Sequence, residues 1–113
     1  MEYVVLTVST LNRFEEVRKV FKGRKLVVPL GAFAEAMRRG IDVDKISGED
    51  VWIRAYNHKP PKLGGLEKYD SEAVLLAEEL SAELVTDDPK VSEVAKSMGV
   101  RVIVLSEVLG RLS

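Results

Sequence analysis

Cysteine is absent from this chain of 113 residues, and His58 is its only histidine. These two features exclude a disulfide framework, a thiolate nucleophile and a zinc site built from thiolates or several imidazoles. Any metal ion must therefore be held by oxygen ligands, which favour hard cations such as Mg²⁺ and Mn²⁺.

Long apolar runs are also lacking. No stretch approaches the roughly 20 residues that span a bilayer, and the N-terminus has no secretory signal pattern. We therefore expect a soluble, cytoplasmic protein with no membrane partner. Glutamine is absent while charged residues make up 31% of the chain, a bias that accompanies growth at high temperature. The length and the 46% of hydrophobic residues predict one globular domain over residues 1–113.

Charge is distributed unevenly although the formal net charge is only −1. Residues 10–40 contain eight basic and three acidic side chains, whereas residues 66–113 contain five basic and ten acidic ones. Two interpretations remain open: a basic surface that faces phosphate groups, or ordinary solvated helix faces.

Strand and helix signals alternate along the chain. Apolar, β-branched runs predict strands over Tyr3–Leu6, Leu26–Val28, Ala82–Thr86 and Val102–Leu105. Periodicity and end signals predict helices that start at Ser9 or Thr10 and end near Gly23, that cover Gly31–Arg39 and Asp70–Leu80, and that run from Asp88-Pro89 to Gly99. Ser47 is expected to cap a further helix carrying Val51, Trp52 and Ala55, and residues 57–65 are expected to form a mobile loop.

This alternation predicts an α/β fold with three αβα layers around a central parallel sheet, whose crossovers should be right-handed. In such open sheets the functional crevice lies outside the carboxyl ends of the strands. Thr7, Asp87 and Asp88 fall at that edge.

Three carboxylates stand out, and each has a structural alternative. Glu35 interrupts an otherwise apolar helix, yet it could face water. Asp70 lies at the start of its helix and could be an N-cap, and Asp88 before Pro89 is a common capping arrangement. Carboxylates that converge need a compensating cation, so together the three indicate a divalent-metal site that could polarise a phosphodiester.

Two segments resemble PIN-domain proteins. The C-terminal half carries YDSEA, a helix, LVTDDPKV, Gly99 and RVIVL, and the N-terminal half carries VVLTVSTL and KLVVPLGAFAEAM. The resemblance places Glu35, Asp70 and Asp88 on family acids, with Thr7, Ser9, Thr86 and Asp87 as supporting residues. Thr7 stands where the family's first aspartate usually lies, which implies weak metal binding.

The resemblance implies an Mg²⁺- or Mn²⁺-dependent endoribonuclease that acts on RNA, with Glu35, Asp70 and Asp88 as catalytic metal ligands. Many PIN domains are VapC-like toxins that form homodimers and bind a small antitoxin protein. The substrate surface is expected to combine the basic residues 13–39 with Trp52, Tyr56, His58 and Lys59.

Two other functions remain open. The chain could be a degenerate PIN-like domain that binds RNA or a protein without catalysis. A Rossmann-like ligand binder is the third reading, but no glycine-rich loop follows the first strand.

Overall fold

A computed structural model of the protein describes residues 3–56 and 62–112. The strands are β1 (Tyr3–Leu6), β2 (Lys25–Pro29), β3 (Val51–Arg54), β4 (Glu83–Thr86) and β5 (Val102–Val104). The helices are α1 (Phe14–Val20), α2 (Leu30–Arg38), α3 (Lys68–Leu80), α4 (Pro89–Ser97) and α5 (Leu105–Leu112), and 3₁₀ turns cover Val8–Arg13, Val43–Lys45 and Leu63–Gly65.

Within the described residues the strands form one parallel sheet in the order β3-β2-β1-β4-β5. The chain builds outward from β1 to β3, returns, and then adds β4 and β5 on the other side. The order therefore reverses between β1 and β4, and their carboxyl ends flank the crevice where such folds place their sites.

Helices cover both faces of the sheet, so the predicted three-layer α/β architecture is confirmed. Alternate residues of each strand enter opposite cores, as the pleat requires. One core packs sheet residues against the first 3₁₀ turn and helices α1, α2 and α5; it includes Leu6, Leu26, Val28, Leu11, Val17, Ala32 and Leu105. The other packs sheet residues against α3 and α4; it includes Val5, Val27, Leu84, Val74, Ala77 and Val91.

The predicted helix around Val51 and Trp52 is wrong. Residues 51–54 form the edge strand β3, which pairs in parallel with β2. Val51 packs into one core, and the ring of Trp52 lies beside that of Tyr3, with centroids 5.7 Å apart. β-Branched and aromatic side chains suit this half-buried, pleated surface.

The chain after β1 also differs in detail from the prediction. It first forms the 3₁₀ turn and only then the helix α1, although the stripe that contains Leu11, Phe14 and Val17 is buried as expected. Neither Ser9 nor Thr10 caps the helix. The expected strand end at Leu105 instead begins α5.

The middle of the chain is described in part. Tyr56 and Lys62 flank residues 57–61, so the expected mobile loop falls largely outside the described residues. Across the parts that are described, no helix is long and apolar enough to cross a membrane.

Candidate acidic site

Three hydroxyl groups join the carboxyl ends of β1 and β4. Ser9 Oγ lies 3.0 Å from Thr7 Oγ1 and 3.3 Å from Thr86 Oγ1, and Thr7 Oγ1 donates to the Val85 carbonyl at 3.1 Å. Thr7 and Thr86 are fully buried. A neutral, buried hydroxyl already committed to a carbonyl is a poor ligand for a cation.

The same hydroxyl groups shape the backbone that follows β4. Asp87 N–H donates to Ser9 Oγ at 3.0 Å, and Asp88 N–H donates to Thr86 Oγ1 at 3.1 Å. The hydroxyls of Ser9 and Thr86 thus position the two aspartates, which is a supporting role. Ser9 therefore forms hydrogen bonds to residues at the ends of both strands. Thr10 Oγ1 donates to the Thr7 carbonyl at 2.8 Å.

Asp87 and Asp88 point to different helices. Asp88 is the N-cap of α4: its Oδ1 accepts from Lys90 N–H at 2.9 Å and from Val91 N–H at 3.4 Å. Asp87 Oδ1 accepts from Ser106 N–H at 2.8 Å, at the start of α5. The capping interpretation of Asp88 therefore agrees with the structure, and Asp87 cannot substitute for a missing acid at β1.

Two variants of Asp88 separate its role as the cap of α4 from the effect of its charge on the pKa of Asp70. We expect Asp88→Ala to lose about 1 kcal/mol of unfolding free energy because the cap is lost. Asp88→Asn still offers an acceptor oxygen at Oδ1 and should lose much less unfolding free energy. Both variants should lower the pKa of Asp70, since the Asp88 charge contributes to raising it. Urea unfolding and NMR titration of the Asp70 carboxyl measure the two effects, and unchanged stability in Asp88→Ala would contradict the cap.

Asp70 is the unpaired acid of the site. It lies in the first turn of α3, where Glu67 holds the N-cap position, so Asp70 is not a cap. It is 8% exposed and makes no side-chain hydrogen bond or ion pair with any described residue. Burial, together with repulsion from Asp88, Glu67 and Glu35, raises its pKa to about 6 against the weaker opposing effect of Arg39.

Glu35 is buried, as its apolar surroundings suggested, but it is neutralised from its own helix. Its carboxylate accepts from Arg38 at 2.5 and 2.8 Å and from Arg39 Nε at 2.8 Å. Arg39 also donates to Tyr69 Oη at 3.1 Å, which connects α2 to α3. The hydrogen bonds from Arg38, and to a smaller extent that from Arg39, lower the pKa of Glu35 to about 2.

A third buried carboxylate, Glu72, was missed by sequence reasoning. Its Oε1 accepts from Gly31 N–H at 2.9 Å and its Oε2 from Tyr56 N–H at 3.1 Å. A Cβ atom at Gly31 would lie 2.9 Å from Glu72 Oε1 and 3.3 Å from Tyr69 Cβ. Glu72 thus links the start of α2 and the segment just after β3 to α3 by hydrogen bonds. Gly31, which has no side chain, permits the close approach of its backbone to Glu72 and Tyr69.

The donor set does not fit the three-carboxylate metal centre expected from Glu35, Asp70 and Asp88. Asp70 is near enough to both other acids for their charges to raise its pKa. However, among the described residues no three acidic or histidine side chains are grouped closely enough to hold a metal ion. Glu35 is occupied by two guanidinium groups, and Thr7 supplies no charge.

Beyond Asp88 the surface becomes acidic. An open cavity of about 460 Å³ between α4 and α5 is lined by Asp87, Asp88, Glu93 and Glu107, with Lys96 as its basic residue. Phosphate groups are repelled from this side. An anionic ligand would approach from the side of Arg38 and Arg39.

An α/β sheet with acids at the β1–β4 switch point is the arrangement that the PIN resemblance predicts. A solved structure confirms the fold and the family: a PilT N-terminus domain protein from the hyperthermophilic archaeon Sulfolobus solfataricus P2 superposes with a TM-score of 0.87 and 36% sequence identity. The match covers 96% of this chain and 92% of that one. The chain therefore belongs to the PilT N-terminus (PIN) domain family, a nuclease family.

Two more distant structures share the fold. One is a domain of a functionally unknown protein from Methanocaldococcus jannaschii DSM 2661, with a TM-score of 0.62, 17% identity and coverage of 91% of this chain and 90% of that one. The other is PAE2754 from Pyrobaculum aerophilum, with a TM-score of 0.64, 21% identity and coverage of 99% and 95%. Comparison with family models and with curated proteins gave no match.

Proposed function

We propose that this PIN domain binds RNA through its phosphate groups and does not cleave it by a metal-dependent route. The observation that carries the proposal is the pairing of Glu35 with Arg38 and Arg39. The pairing removes one expected metal ligand and places two guanidinium groups at the rim of the acidic site. Guanidinium groups bind phosphate in a bidentate manner, so the same rim favours a nucleic-acid backbone.

The exposed basic side chains near the acidic site define the surface that we expect to contact RNA. The side chains of Arg38 and Arg39 are 73% and 43% exposed. Lys90 lies across the site, with Nζ 3.4 Å from the Gly65 carbonyl. We propose that these three residues, together with the exposed Trp52, contact RNA.

The contact surface centres on α2 because Arg38 and Arg39 share the single carboxylate of Glu35, which leaves a net positive charge there. The arginines before α2 each have a separate acidic partner. Arg13 pairs with Glu16, Arg18 with Asp50, and Arg24 with Glu83. His58 and Lys59, the other expected contacts, lie outside the described residues.

RNA binding by the full chain in EDTA tests the proposal. We expect a labelled single-stranded RNA to bind in fluorescence anisotropy, and Arg38→Gln/Arg39→Gln to weaken binding at least about tenfold, since each 1.4 kcal/mol lost is tenfold. The slope of log K against log salt should decrease by about 0.7 for each lost phosphate contact.

Arg101→Gln is the matched control. Arg101 is an arginine whose side chain is 84% exposed, and it lies just before β5, at the opposite end of the sheet. It should bind RNA as the unmodified chain does. Equal binding by the double variant and the control, or binding that requires Mg²⁺, would overturn the proposal.

A metal-dependent endoribonuclease is the second candidate, and the unpaired Asp70 beside Asp88 favours it. Two repelling carboxylates attract a cation. Under this proposal Mg²⁺ or Mn²⁺ would be held by Glu35, Asp70 and Asp88, and the chain would act as a homodimeric toxin with an antitoxin partner, or in RNA processing. Cleavage of labelled RNA that requires Mn²⁺ and is lost in Asp70→Asn would support it. Cleavage that persists in Asp70→Asn would point to a contaminant.

A further inference from the structure

Arg38 and Arg39 are placed to neutralise Glu35 as well as to contact RNA. Both follow Glu35 by one helical turn, so they reach its carboxylate without any rearrangement of the fold. Together they make three hydrogen bonds of 2.5–2.8 Å to that carboxylate. Arg39 is additionally fixed by Tyr69, the neighbour of Asp70.

We propose that Arg38 and Arg39 act as a built-in counter-ion that takes the electrostatic place of a divalent metal ion in the acidic site. This inference rests on the proposed function and specifies what sets the site's choice of ligand. While the arginines hold Glu35, their exposed guanidinium groups favour phosphate; without them, the freed carboxylate favours Mn²⁺ or Mg²⁺.

The charges of the site support the replacement of a divalent metal ion by the two arginines. Glu35, Asp70 and Asp88 contribute three negative charges, and the two arginines contribute two positive charges. A cation that approaches Glu35 must displace several charge-assisted hydrogen bonds, which are the strong ones in proteins. Removal of both guanidinium groups would release the Glu35 carboxylate, whose charge already reaches Asp70.

Mn²⁺ binding to the full chain at neutral pH tests the inference, with the free Mn²⁺ signal in electron paramagnetic resonance as the readout. We expect no saturable site in the unmodified chain at millimolar Mn²⁺. Arg38→Gln/Arg39→Gln should bind one Mn²⁺ at least about tenfold more tightly. Glu35→Gln/Arg38→Gln/Arg39→Gln should lose that gain, and Arg101→Gln should resemble the unmodified chain.

Folding of the variants is checked separately because the double variant leaves a buried carboxylate without a partner. If it does not fold, the single variant Arg38→Gln provides the test. It removes two of the three guanidinium hydrogen bonds to Glu35, and the remaining one from Arg39 keeps the buried carboxylate paired. Mn²⁺ should then raise its melting temperature more than that of the unmodified chain, as expected for a ligand of the folded state.

Two outcomes would overturn the inference: equal Mn²⁺ affinity with and without the arginines, or a gain that persists when Glu35 is replaced. Neither result depends on RNA binding in EDTA, which tests the proposed function. Failure of the counter-ion idea and failure of the RNA-binding idea are therefore distinguishable.

Discussion

Glu72→Ala should lower the free energy of unfolding by about 3 kcal/mol, because two backbone N–H groups lose a charged acceptor and a buried side chain is removed. The N–H groups belong to Gly31 and Tyr56, which lie on α2 and just after β3. Both segments are held against α3 by this one carboxylate. We therefore expect the loss to appear as a cooperative destabilisation in urea, measured by circular dichroism.

Two control variants test whether these hydrogen bonds carry the effect. Glu72→Gln keeps one acceptor oxygen but presents an NH₂ group to the other N–H, so its loss should be intermediate. Glu78→Ala removes an exposed glutamate from the same helix and should change stability by less than about 0.5 kcal/mol. If Glu72→Ala behaves like Glu78→Ala, the proposed clamp has no energetic role.

Most elements could be predicted from local signals because their ends are marked. Tyr3–Leu6 is a β-branched run that ends in a polar residue, and Asp88-Pro89 combines a cap with a first-turn proline. The edge strand β3 could not be predicted in this way. Its first three residues are apolar and lie on both sides of the pleat, so they show no alternation, and its pairing partner, β2, is more than twenty residues away in sequence.

The position of the candidate site and the ion pairs of Glu35 both had signals in the sequence, whereas the contacts of Glu72 had none. The carboxyl ends of β1 and β4 placed Thr7 and Asp88 at one edge, as the parallel topology requires. Arg38 and Arg39, three and four residues after Glu35, carried a signal in the sequence that an ion pair would form. Glu72 carried no such signal, because its nearest partners are 16 and 41 residues away.

Stability should depend on pH through two of the acids, with opposite signs. The folded-state pKa of Glu35 is about 2, below its ordinary 4.5. Its contribution is therefore present above pH 4.5 and is lost as the pH falls through 2. The folded-state pKa of Asp70 is about 6, above its ordinary 3.8. The folded chain thus holds a proton that the unfolded chain has released, and stability falls as the pH rises from 3.8 to 6.

Asp70→Asn should therefore stabilise the protein at pH 7 by about 2 kcal/mol, which is less than the full shift implies because solvent at the site's edge screens the charges. Near pH 3.5 the two proteins should be nearly equally stable, since the carboxyl group is then almost fully protonated in the folded chain and mostly protonated in the unfolded chain. Urea unfolding at a series of pH values measures this difference. A gain that is the same at pH 3.5 and pH 7 would mean that the asparagine acts by packing, and that the charge of Asp70 does not oppose folding.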